Sequence, residues 1–119
     1  MYILDAGRLN KRISIYGYQD VENALGESRT VLTKKATVHA EIHPVRGQEF
    51  LEYYREANKL QLKITIRFPK TFKVTEDDVI IRADGTQYEI NSIIDVNDEH
   101  VALEIYCTER KKKLLEVET

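Results

Sequence analysis

The chain has no tryptophan, one cysteine, two prolines and five glycines among 119 residues. The lone Cys107 excludes an intramolecular disulfide and any zinc cage built on cysteines. With 42% apolar and 32% charged residues, sparse Pro and Gly exclude a disordered or collagen-like chain. No apolar run approaches the roughly 20 residues that a membrane-crossing helix needs. Neither sign of charge dominates. Eighteen basic and twenty acidic residues leave a net charge of −2, so no overall positive field draws the protein onto nucleic acid. The opening Met1-Tyr2-Ile3-Leu4-Asp5 lacks a basic leader and its apolar stretch breaks at Asp5, so no signal peptide is expected. The expected setting is the cytoplasm or something assembled there.

What the sequence does have is alternation with period two. Val38, Ala40 and Ile42 are apolar, with Thr37, His39, Glu41 and His43 polar around them. Leu62, Ile64, Ile66 and Phe68 point one way, and Gln61, Lys63, Thr65 and Arg67 the other. Val101, Leu103, Ile105 and Cys107 repeat the pattern against Glu104, Tyr106 and Thr108. Successive side chains of a strand face opposite sides of a sheet, so each segment has one dry and one wet face. Leu9 to Tyr18 forms a further strand, and Val79 to Ala83 with Thr86 to Ile94 forms a hairpin around Asp84-Gly85. Asn97-Asp98-Glu99 reads as the turn into the last strand. The predicted fold is all-β, a small antiparallel barrel or sandwich of about six strands.

Two long connections interrupt the pattern. Between Pro44 and Asn58 the period changes: Phe50, Tyr53, Tyr54 and Ala57 fall at helical spacing, predicting one long loop or short helix between strands two and three. Gln19 to Lys34 is polar, contains Gly26 and reads as a second long loop. Connections beyond about a dozen residues are usually functional or disordered, and function is expected in these two. Residues 1–109 read as one barrel domain, and 110–119 as a charged C-terminal tail around Lys111-Lys112-Lys113, a short helix or a frayed end.

The residues for catalysis are not arranged for it. No Gly-rich phosphate loop, nucleophile elbow or paired metal-ligand motif is present, and no cofactor or metal is expected. His39 and His43 share the polar face of one strand, but four residues of strand separate their Cα atoms by roughly 13 Å, too far to share one metal. Cys107 lies on a dry face and reads as a small hydrophobe. Asp77-Asp78 and Asp98-Glu99 read as turn residues, since general acid–base work needs convergent groups in a cleft. The chain is expected not to be an enzyme.

Several short elements, in fixed order, resemble the phage head–tail joining, or head-closure, family. These are Ala6-Gly7-Arg8-Leu9 running into Arg12-Ile13-Ser14-Ile15, then Asp20 followed by Gly26, then Val38-His39-Ala40-Glu41-Ile42. Pro44-Val45-Arg46-Gly47-Gln48-Glu49, Ile64-Thr65-Ile66-Arg67-Phe68, Asp84-Gly85, Tyr88-Glu89-Ile90 and Cys107-Thr108-Glu109 complete the series. The chain departs from the family pattern in lacking a tryptophan before its second strand and in having His39 where an aromatic often stands. The last ten or so residues fall outside the resemblance.

The resemblance implies a virion structural protein, phage or prophage encoded, made in the host cytoplasm and placed at the head–tail interface. It implies a dodecameric ring beneath the portal or its adaptor, a connector and stopper that closes the DNA channel and joins the tail. It leaves room for a monomer in isolation. Arg46, Glu49, Phe50, Tyr53, Tyr54 and Arg55 are the candidate subunit or lumen contacts, with channel DNA met non-specifically. No membrane partner is expected. A second reading, from a different class, is a small OB-like barrel binding single-stranded nucleic acid, with Tyr53 and Tyr54 stacking beside Arg46 and Arg55. Net charge and the nearby Glu49, Glu52 and Glu56 weigh against it.

Overall fold

Where apolar residues alternate, strands form, and their dry faces are turned on one another. The computed structural model describes residues 1–45 and 61–110, together with the backbone of Val117 and Glu118. The strands are β1 (Lys11–Glu22), β2 (Ser28–Pro44), β3 (Gln61–Arg67), β4 (Val79–Arg82), β5 (Gln87–Asp95), β6 (Ala102–Arg110) and β7 (Val117–Glu118). Short 3-10 turns span Ala6–Arg8 and Val96–Asp98. The sheet runs β1-β4-β5-β6-β3-β2, and pairing of β2 with β1 closes it into a barrel of six antiparallel strands. Closure removes most of the open edge that a flat sheet would expose.

The interior is built in rows across the strands. Ile42 faces Ile64, Ile64 faces Ile105, and Ile105 faces Ile93. Ile64 and Ile105 are fully buried, with Ile42 and Ile93 packed at the flanks. Leu62, Cys107 and Ile90 form a neighbouring row in the same way. The connection from β3 to β4 carries Phe72 and Val74 onto this core. The expected wet faces are not uniformly wet. Thr65 is buried between its partners Glu41 and Glu104, and Thr108 is buried with its hydroxyl donating to Asn91 Oδ1 at 2.6 Å.

Two β-bulges break the parity of the strands. In β2 the pairing passes from Ala36 to Lys34 while β1 advances one residue, leaving Lys35 as the extra residue. In β5 the pairing skips Asn91. A bulge re-aims the side chain it inserts and increases local twist. Lys35 turns to the β3–β4 connection, where it meets Asp78, and Asn91 accepts from Thr108 on the neighbouring strand. Beyond the first bulge a second, smaller core forms from Tyr16, Leu32 and Val79.

The segment Gln19 to Lys34 is not the long loop expected from its polarity. It is the outer half of a β1–β2 ribbon, paired from Tyr18↔Leu32 to Glu22↔Ser28, with a tight turn at residues 23–27. The alternation signal is missing because β4 pairs β1 only over Ile13–Tyr16, so most of the outer ribbon has solvent on both faces. Backbone pairing, not burial, holds it. The expected hairpin at Asp84-Gly85 is present, with Gly85 at φ 89° and its N–H donating to the Arg82 carbonyl. The C-terminal tail, read as a helix or frayed end, adds a strand instead, as Val117–Glu118 pairs in parallel with Leu32–Thr33. The expected loop or helix over Pro44 to Asn58 lies, from Arg46 on, outside the described residues.

Candidate functional site

The six contact residues picked out by sequence, Arg46, Glu49, Phe50, Tyr53, Tyr54 and Arg55, lie outside the described residues. The histidines are within them and are separated in role. His43 Nε2 stands 3.2 Å from the Glu41 carboxylate, while His39 lies at the rim of a cleft. His100 donates its backbone N–H to Asp95 Oδ1 at 3.0 Å and pairs its ring Nδ1 with Asp95 Oδ2. Its ring also lies 4.8 Å from that of Phe68. The ligand atoms of Asp95, Asp98 and His100 fall within 4.8 Å of one another. Asp95 already accepts two bonds from His100, and Asn97, Asp98 and His100 all have positive φ, so the grouping locks the turn before β6. Sequence spacing alone had suggested only the turn, because the third member, Asp95, sits at the end of the preceding strand.

The cleft opens at one mouth of the barrel. It encloses about 520 Å³ and is lined by Ala6, Leu9, Val38, His39 and Arg67. One wall is the 3-10 turn before β1. Asp5 Oδ1 accepts the Gly7 N–H at 3.0 Å, and Arg8 Nε meets Glu41 at 2.7 Å, which fastens this turn to β2. Val38 supplies apolar floor, being half-buried and packed on the core. His39 and Arg67 alternate outward on β2 and β3 and stand at the rim. Among the described residues neither has a charged partner, and Arg12 pairs across the ladder with His39. The cleft therefore offers apolar floor beneath a basic rim.

At the far end of the ribbon the chemistry is reversed. Asn23 Oδ1 accepts the N–H groups of Leu25 at 2.9 Å and Glu27 at 3.0 Å, and the Asn23 N–H donates to the Glu27 carbonyl at 2.9 Å. Gly26 takes φ 82°, a left-handed conformation that side chains disfavour. Leu25 is held 84% exposed on this stiff turn, with Glu22 and Glu27 at its base and Asp20 further down the ribbon opposite Thr30.

Cys107 is not a reactive group. Burial pushes its thiol up to about 12, only partly offset by the charge of Arg82. Relative to an ordinary value of 9.0, the thiolate fraction falls about a thousandfold. The shift favours the neutral thiol in the fold, so its stabilisation is complete below pH 9 and is lost as pH rises toward 12. Alkylation of Cys107 by iodoacetamide is expected to be negligible in the native protein and to appear only with unfolding. Rapid native labelling at pH 8 would contradict the burial.

Several solved structures share the fold. The solution structure of a protein from Shigella flexneri 2a matches with a TM-score of 0.70 and 23% identity, over 92% of this chain and 100% of that one. A chain of the native gene transfer agent virion matches with a TM-score of 0.58 and 16% identity, over 84% of this chain and 93% of that one. No curated protein sequence matches at a significant level. The family model described as phage head completion protein matches residues 4–110, from the turn that walls the cleft to the last residue of β6. The chain belongs to the phage head completion protein family.

Proposed function

We propose that this chain is a head–tail connector that assembles as a dodecameric ring beneath the portal or its adaptor, closes the DNA channel and receives the tail. The observation that carries the reading is the family match over the whole barrel, residues 4–110. The likeness in fold to a gene transfer agent virion chain agrees with a place in the particle. In this reading the protein is made in the host cytoplasm and ends in the virion. Residues of the segment after β2, namely Arg46, Glu49, Phe50, Tyr53, Tyr54 and Arg55, face the axis or a neighbouring subunit. Ring symmetry repeats each weak contact around the axis, and simultaneous engagement turns it into a stable plug. DNA in the channel meets these loops through its backbone, without sequence preference.

The test is electron microscopy of a lysate from a phage carrying an early stop codon in this gene. Expected are normal, separate tails beside tailless capsids that have lost their DNA. Complete tailed particles would overturn the reading.

A further inference from the structure

We propose that neighbouring copies are joined by the ribbon turn of one copy seated in the barrel-mouth cleft of the next. This rests on the ring reading above, and adds to it a defined contact. The two surfaces are complementary. The turn presents a large apolar side chain, Leu25, beside the small Ala24, with Glu22 and Glu27 at its base, Asp20 two positions further down the ribbon and Arg29 the ribbon's counter-charge. The cleft presents apolar Ala6, Leu9 and Val38 beneath His39 and Arg67, with Arg12 beside them and Glu41 taken up by Arg8 and His43. About 520 Å³ is ample for a leucine side chain and part of the turn that carries it.

The turn is built for docking. An isolated leucine left 84% exposed contributes nothing to this fold, yet four hydrogen bonds around Asn23 and Gly26 hold its backbone in one conformation. A loop ordered before it binds loses little conformational freedom on binding. The occupant of the cleft is another copy and not the chain's own turn. Nine residues of strand separate Ile13, beside the cleft floor, from Glu22 at the turn, roughly 30 Å at strand rise. The contacting surfaces differ, so the contact is head-to-tail, the type that closes into a ring when the rotation per subunit permits. One leucine and a few charges make a weak pair. Such a pair leaves the isolated protein monomeric, and holds when the neighbours on both sides are in place.

The test is made in assembled phage particles. The variant Leu25→Cys/Val38→Cys is supplied in place of the natural protein, particles are purified and oxidised, and the protein is followed by immunoblot on a non-reducing gel. Buried Cys107 takes no part. A ladder of covalent multimers is expected, absent from either single variant. Protein present in the particles without a ladder would overturn the contact and leave the ring reading standing. Natural protein absent from purified particles would overturn both. Leu25→Asp is the companion variant, since Leu25 supports nothing in the fold. It is expected to melt as the natural protein does and to lower the titre of infectious particles by about tenfold or more. An unchanged titre overturns the contact.

Discussion

Ile64→Ala is expected to cost about 3–4 kcal/mol of folding stability, the largest effect of any single truncation in the barrel. Ile64 is fully buried and stands in the row Ile42–Ile64–Ile105–Ile93, so removing its methyl groups opens a void bounded by three strands. A closed barrel collapses poorly onto such a void because hydrogen bonds on both sides fix the spacing of its strands. Domains of this size have only about 5–15 kcal/mol in hand, so the variant is expected to fold but to be marginal when warmed. The measurement is urea unfolding. With a slope of about 1.5 kcal/mol per molar, the midpoint should fall by roughly 2 M. Ile64 and Ile105 face each other, so the double variant Ile64→Ala/Ile105→Ala should depart from the sum of the singles by at least about 0.5 kcal/mol. Strict additivity, or a midpoint shift below about 0.5 M, would mean that the row does not carry the core.

Lys35→Met is expected to cost about 3 kcal/mol, and more than Asp78→Asn, although both break the same ion pair. Lys35 is the inserted residue of the β2 bulge. Its Nζ donates to Asp78 Oδ2 at 2.8 Å and to the Lys73 carbonyl at 3.0 Å, which ties the β3–β4 connection to the root of the ribbon. The two partners differ in exposure, 31% for the lysine side chain and 4% for the aspartate. Without the lysine, a buried carboxylate keeps, among the described residues, only the Thr75 N–H, at 2.9 Å. Without the carboxylate charge, the lysine turns to water while asparagine still accepts from Thr75, for a cost of about 1–2 kcal/mol. Gly17 belongs to the same arrangement: a Cβ there would stand 2.7 Å from Lys35 Cε and 3.3 Å from Asp78 Oδ1. Equal losses for the two variants, measured by the same urea unfolding, would show that the pair is solvated and that the bulge serves another purpose.

How far the sequence revealed this molecule depended on where water lies. Strands β3 and β6 were plain, because each has one face on the core, and Leu62, Ile64, Ile66, Leu103, Ile105 and Cys107 mark it. The outer ribbon was hidden because, beyond the buried Val31 and Leu32 at its root, water lies on both its faces, so those residues had no reason to alternate. The bulges at Lys35 and Asn91 were hidden for another reason: one inserted residue looks like a local lapse in the pattern, and only the partner strand shows which residue is extra. The cleft was half visible. Arg67 and His39 could be placed on outward faces, but their meeting with Leu9 and Ala6 depends on closure of the barrel. The turn around Asn23 carried a readable sign, Gly26 at a left-handed position, yet the exposed Leu25 beside it looked like an ordinary loop residue.

The ribbon also bears on how the protein survives before it is used. Around the closed barrel most of each strand edge is paired, but β1 from Gly17 to Glu22 has no partner beyond β2 among the described residues. Such an edge is a template on which identical chains could stack without limit. Here the edge carries Gln19, Asp20 and Glu22, and ends in a turn with a further carboxylate, Glu27. Two copies aligned edge to edge would bring like charges together, which discourages runaway aggregation. The same acidity that would guide the turn toward a basic rim would thus also hold bare ribbon edges of neighbouring copies apart.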